Sequence, residues 1–145
     1  MEEFEPALSP RLVLSDRVIR EEGTGKLSLI GCFEMFLAPA FPFHAPLFFV
    51  TAGITNIIGT PEEMNITVRI ENPESGHVIA SSAVKMTKPP GYTPDFPRDG
   101  VLEIPLPFDK VRFDIPATYS VVCLFSNEVI GSRFFAVRSI TPVAF

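Results

Sequence analysis

The chain has 145 residues, 46% of them hydrophobic and 20% charged, which suits one ordinary domain with its own core and is too apolar for a disordered tail. Seventeen acidic against twelve basic side chains leave a formal net charge of -5; no run of Lys or Arg supplies the stripe that phosphate binding needs, so nucleic acid is not an expected partner. Two cysteines and two histidines fall short of a disulfide scaffold and leave few ligands for a metal.

Met1-Glu-Glu-Phe-Glu-Pro6 is acidic where a signal peptide is basic. Pro39, Pro42, His44 and Pro46 break up the most hydrophobic stretch, Phe33 to Ile58, so no apolar run is long enough to span a bilayer. A cytoplasmic protein without membrane insertion is expected, with an N-terminal arm over 1–10, one domain over 11–139 and a tail over 140–145.

Arg11 to Arg20 and Leu27 to Leu37 read as two strands joined by the Gly-containing loop Glu21 to Lys26. Within that loop Gly23-Thr-Gly-Lys26-Leu-Ser28 faintly resembles a phosphate-binding loop, but Arg20 stands where the motif needs its first Gly and Leu27 where it needs Ser or Thr, which leaves a hairpin turn. Asp16 interrupts the apolar set Leu12, Leu14, Val18, so its carboxylate must be paired, with Arg17, Arg20 or Lys26, or lie at a solvated edge. After the proline-aromatic segment Ala38 to Pro46, Pro46 to Thr55 is β-rich.

The clearest signal is the alternation of Met64, Ile66, Val68 and Ile70 with Asn65, Thr67, Arg69 and Glu71, a strand with one face on a core. Pro73-Glu-Ser-Gly76 turns the chain into a partner strand, His77 to Val84. A second proline-aromatic segment, Lys88 to Pro97, precedes Gly100 to Phe108, whose Pro105 and Pro107 demote it to an edge or interrupted strand. Tyr119, Val121, Cys123 and Phe125 share one face of Thr118 to Phe125, and Ser126-Asn-Glu128 leads into Val129 to Val137. Fifteen prolines and no apolar stripe at helical spacing speak against helices. The expectation is all-β: seven or eight strands in an antiparallel, immunoglobulin-like sandwich, with Tyr119 placed after Asp114-Ile-Pro-Ala-Thr so that its hydroxyl can bond back to the preceding corner.

Leu12-Val-Leu-Ser-Asp16, Glu22-x-x-Gly25-Lys26-Leu-Ser-Leu-Ile-Gly31-x-Phe33, Val68-Arg-Ile-Glu-Asn-Pro-Glu-Ser-Gly76 and the stretch from Pro116-Ala-Thr-Tyr119 through Val137 together resemble an uncharacterised bacterial family of small immunoglobulin-like β-sandwich proteins. The resemblance implies a fold and no activity, and it carries no site residues over to this chain.

Chemistry-bearing residues are sparse. Cys32 and Cys123 fall on strands that could face one another, yet without a Trp and in a reducing compartment free buried thiols are expected rather than a bridge. A cysteine nucleophile needs a histidine, and His44 and His77 both sit in or beside loops; no Gly-x-Ser-x-Gly elbow exists. Asp95 and Asp99 share a loop without calcium-loop spacing, and the Asn65-Ile-Thr67 sequon is a common short match. The expectation is a non-enzymatic module with no catalytic residue, metal or cofactor.

Fourteen Phe remain to be placed. Phe41, Phe43, Phe96 and Phe108 lie outside the clear alternation and either plug the sandwich ends or form an exposed patch. Phe134 and Phe135 are adjacent in one strand and must point to opposite faces. The candidate interaction surface is Phe41, Phe43, Tyr92, Phe96, Phe134 and Phe135. Three functions follow in order of support: a protein-interaction or structural module, a carbohydrate- or peptide-binding domain using Phe41, Tyr92 and Phe96, and a small hydrolase. Because paired neighbours such as Phe48-Phe49 and Phe134-Phe135 put apolar groups on outer faces, the partner is a protein, first of all a second copy, in a homo-oligomer.

Overall fold

The structure, a computed structural model, describes residues 7–57, 63–87 and 101–140. Among them are eleven strands and no helix. One sheet has the order β2-β1-β5-β8, built from Leu27–Phe33, Leu8–Arg20, Phe48–Thr55 and Leu102–Phe108. The other runs β3-β11-β10-β6-β7, from Met35–Ala38, Glu128–Ser139, Ala117–Phe125, Glu63–Glu71 and Val78–Thr87. Phe43–His44 (β4) and Arg112–Phe113 (β9) form a two-residue antiparallel pair.

The core lies between the two sheets, and period two decides what enters it. Ile66, Val68 and Ile70 of β6 are fully buried and sit opposite Phe125, Cys123 and Val121 of β10. Met64 and Phe125, at the ends of this row, are half-buried against the same cluster. From the first sheet come Leu12, Leu14, Phe48, Val50, Ala52, Ile104, Leu106 and Phe108. A one-residue slip in any of these strands would expose its whole apolar set, which is what locks the register.

Turn chemistry agrees with the ladders. Gly76 has a φ of 73° and its N–H donates to the Asn72 carbonyl at 2.7 Å, closing the β6–β7 turn. Ser126 and Asn127 carry φ values of 49° and 69°, the double positive φ of a two-residue hairpin whose twist matches its strands. Residues 21–26 close the β1–β2 hairpin, Glu21 N–H donating to Lys26 O at 2.7 Å. The Tyr119 hydroxyl donates to the Ile115 carbonyl at 2.6 Å, the back-bond expected at this corner. Burial pushes the Tyr119 hydroxyl above its ordinary pKa of 10.0, the Ile115 carbonyl acting the other way and the Asp114 charge adding to the rise.

Several expectations need correction. The count of seven or eight strands is too low for two reasons: β4 and β9 add two short strands, and Leu27 to Leu37 is not one strand but breaks at Glu34, its first part pairing antiparallel with β1 and its second parallel with β11. The sheets are therefore antiparallel except for that pair. β1 begins at Leu8, so three residues assigned to the arm belong to the first sheet, and Ser9 is buried. Asp16 is exposed and forms no ion pair with Arg17, Arg20 or Lys26, so of its two alternatives the solvated one holds. The reason is geometric: β5 accompanies β1 only as far as Ser15↔Phe49, so Asp16 stands beyond the body of the sandwich, folded against Gly31. Cys123 is buried but Cys32 is exposed on edge strand β2, so only one of the two free thiols is in the core.

Candidate functional site

Phe135 is 2% exposed and packs at 5.9 Å from Phe113 and 6.0 Å from Tyr119, so it is core and not surface. Strand parity then sends its neighbour the other way: Phe134 is 64% exposed on the outer face of the five-stranded sheet. It stands opposite Ser120 of β10, and two residues along its own strand Ala136 stands opposite Met35 of β3. Met35, Leu37 and Val129, all exposed large side chains, share that face, with Val122 and Leu124 forming its floor on β10. Further across the sheet the face turns polar, with Arg69 bonded to Glu71 at 3.0 Å and Lys85 to Glu63 at 3.4 Å. The result is a mixed half-face over β3, β11 and β10: Phe134, Met35, Leu37 and Val129 stand among Ser120, Ser132 and an Arg138 that donates to Thr118 Oγ1 at 3.2 Å, with the ion pairs beyond.

A cleft adjoins this half-face where β1 and β11 meet without forming a ladder. Arg133 spans it: one Nη donates to the Leu12 carbonyl at 2.8 Å and the other to Glu34 Oε1 at 3.2 Å. Hollows of about 410 Å³ and 670 Å³ lie on the two sides of this link, both bounded by Val13, Glu34 and Arg133, the first reaching Phe134 and the second Cys32 and Met35. An arginine beside an aromatic and a methionine is the composition of an interface hot spot.

The remaining predicted residues divide. Phe43 lies 5.8 Å from Phe36 and stacks on Phe113 at 6.4 Å, and Phe41 packs against the same cluster, so both plug the end of the sandwich. Phe108 is core, stacked on Phe48 at 5.4 Å. Tyr92, Phe96, Asp95 and Asp99 lie outside the described residues. Of the four proposed surface residues that are described, Phe41, Phe43, Phe134 and Phe135, the structure leaves Phe134 fully on a surface.

The outer face of the first sheet is different in kind. Arg11 pairs with Glu103, and the Arg11 side chain lies over Gly53, 3.5 Å from where a Cβ would be. Pro107 and Pro105 stand opposite Phe49 and Thr51. Phe49 is left half-buried.

Sequence reasoning missed Met35, Leu37, Glu34 and Arg133. Met35 and Leu37 were assigned to the wrong strand because nothing local marks the crossing at Glu34 except one charge inside an apolar run. The Cys123 thiol is pushed above its ordinary value of 9.0 by burial, the Ser9 hydroxyl opposing this in part. That is the reverse of nucleophile activation. Ser9 Oγ and Thr51 Oγ1 are buried without a conventional hydrogen-bond partner. Among the described residues no group of three or more His, Cys, Asp or Glu side chains converges to hold a metal ion, and no helix is long and apolar enough to cross a membrane.

A family model described as a family of unknown function, DUF6941, matches residues 11–138. No curated protein matches the chain.

Proposed function

The chain belongs to that family of unknown function, and from this premise we propose that it is a non-enzymatic interaction module that self-associates through the outer face of its five-stranded sheet, with Phe134 at the centre of the contact. The observation that carries the reading is the 64% exposure of Phe134 beside exposed Met35, Leu37 and Val129 on one sheet face. Monomeric proteins rarely leave so many large apolar groups together on a surface.

Association by face rather than by edge follows from the state of the edges. β8 keeps its register with β5 across Pro105 and Pro107, so those residues occupy the alternate positions facing away from β5 and remove donors from the outer edge. β2 is kinked at Gly31, where φ is 69° and the Asp16 carboxylate lies over the backbone. β7 carries Lys85, and β3 has only four residues. Each of these is a recognised device against strand addition.

The Tyr119 back-bond supports an immunoglobulin-like assignment for the sandwich, and the two free cysteines favour a reducing, cytoplasmic setting. The test uses the absence of tryptophan from the sequence. In the Phe134→Trp variant the single indole reports on its own surroundings, and its emission should move to the blue as protein concentration rises through the association range. A red, concentration-independent emission rejects Phe134 as a contact.

A further inference from the structure

We propose that the hollow between the β6–β7 turn and the β9–β10 corner binds an organic carboxylate with an apolar body. The hollow holds about 340 Å³, within the range of small-ligand sites, and neither Phe134 nor any other exposed apolar residue of its face lines it. Its case rests on which hydrogen-bonding groups remain after the protein's own bonds are made.

Asn72 Oδ1 already accepts the Glu74 N–H at 3.0 Å, which leaves the Asn72 amide NH2. Ser75 Oγ accepts the His77 N–H at 3.2 Å, which leaves the Ser75 O–H. Arg112 Nε donates to Asp114 Oδ1 at 2.7 Å, which leaves both Nη groups. His77 lines the same hollow, its backbone N–H bonded to Ser75 Oγ. Register also puts His44 opposite Arg112 across β4–β9, so the second imidazole of the chain stands on the same face as the guanidinium. The one carboxylate in the wall, Asp114, is engaged by Arg112. Three donor groups therefore meet at the hollow, the Asn72 amide, the Ser75 hydroxyl and the Arg112 fork, beside the acceptors Asp114 Oδ2 and the Tyr119 hydroxyl oxygen, and the guanidinium fork together with two neutral donors suits an anionic acceptor.

The geometry of Arg112 narrows the acceptor. With Nε held by Asp114, the two Nη groups present their end-on fork, which matches the two oxygens of a carboxylate. The apolar part of the wall is Ile79 and the exposed Ile115. A bare inorganic anion would leave these walls unused, whereas a carboxylate attached to an aliphatic group fills both parts. Two sources share this chemistry, a free small organic acid and the C-terminal carboxylate of another chain.

The full chain, isotopically labelled, is titrated with N-acetyl-leucine, with N-acetyl-leucinamide and with a short peptide ending in leucine with a free carboxylate, while amide resonances are followed. Expected are saturable shifts at Ser75, His77 and Ile115 with N-acetyl-leucine and none with the amide. Tighter binding of the peptide identifies a chain terminus as the source; equal or weaker binding identifies a free acid. Arg112→Gln should weaken binding about tenfold or more, the scale of a lost hydrogen bond to a charged group. Arg112→Lys should weaken it similarly, since a point charge lacks the fork. Both substitutions are at an exposed side chain, and unchanged resonances elsewhere verify the fold. Saturable binding of the amide as tight as the acid, no saturable shift with either carboxylate, or full affinity in Arg112→Gln overturns the assignment.

Discussion

Gly131→Ala is the sharpest test of how β1 closes the sandwich. Gly131 lies on β11 opposite Cys123, and a Cβ built on it would run into the Ser9 carbonyl, with the Ser9 carbonyl carbon and Cβ both 3.1 Å away. These are backbone or first side-chain atoms that no rotamer change can remove. Ser9 sits where β1 shifts register between Leu8 and Arg11, so either β11 bends or the first residues of β1 detach and expose the buried Ser9. Overpacking of this kind costs about 1–3 kcal/mol. For a domain of this size that lowers Tm by roughly 3–12 °C. Gly53→Ala is the matched control: it too is a strand glycine without a positive φ, but its Cβ would meet only Arg11 side-chain atoms at 3.5 Å and Val101 Cγ1 at 3.7 Å, ordinary contact. Since Ala in a strand costs less backbone entropy than Gly, Gly53→Ala should be neutral or stabilising by up to about 1 kcal/mol. Thermal unfolding followed by far-ultraviolet dichroism compares the two. Equal midpoints for Gly131→Ala and Gly53→Ala would refute the close approach of β1 to β11.

Tyr119→Phe removes the bond to the Ile115 carbonyl and should cost about 0.5–1.5 kcal/mol in denaturant unfolding; no loss would mean the corner does not depend on it. Tyr119 and Cys123 both have folded-state pKa values raised above 10.0 and 9.0, so the native state keeps protons that the unfolded chain gives up. Their stabilisation is full below pH 9 and should decline as pH rises past 9 and then past 10, seen as a falling unfolding midpoint. A thiol reagent should label Cys32 at once and Cys123 only after unfolding; rapid native labelling of both would contradict the burial of Cys123. Arg133→Ala should destabilise the fold by about 1–3 kcal/mol, because the guanidinium links Leu12 O to Glu34 across the β1–β11 cleft.

The parts of the fold legible in the sequence were those where one local rule decides. Met64 to Ile70 alternates without exception, and of the side chains predicted to face inward Ile66, Val68 and Ile70 are fully buried and Met64 half-buried. Pro105 and Pro107 signalled an edge strand because a proline cannot donate to a ladder, and β8 is at an edge. The candidate site was legible only in part. Adjacent Phe134 and Phe135 had to face opposite ways, but which one faced out depends on how β11 pairs with β10, a long-range fact. Phe135 opposite Tyr119 puts both on the core side, and that pairing is written nowhere near either residue. The crossing at Glu34 failed for the same reason: Leu27 to Leu37 is a good strand throughout, and only the different partners of its two halves divide it. Asp16 had two readings, paired or solvated, because its parity matches Leu12 and Leu14; it is solvated, since parity buries a side chain only where another sheet covers it.

Phe134 also offers the most direct test of self-association. Light scattering on the full chain at micromolar concentrations and above, with Phe134→Lys measured beside it, reads the mass without reference to any probe. The predicted result is a mass of at least two chains for the natural sequence, through a contact burying more than about 1,000 Å² in total, and a mass of one chain for Phe134→Lys with an unchanged far-ultraviolet spectrum. A single-chain mass for the natural sequence that persists on concentration, or an oligomer that Phe134→Lys leaves intact, would contradict it.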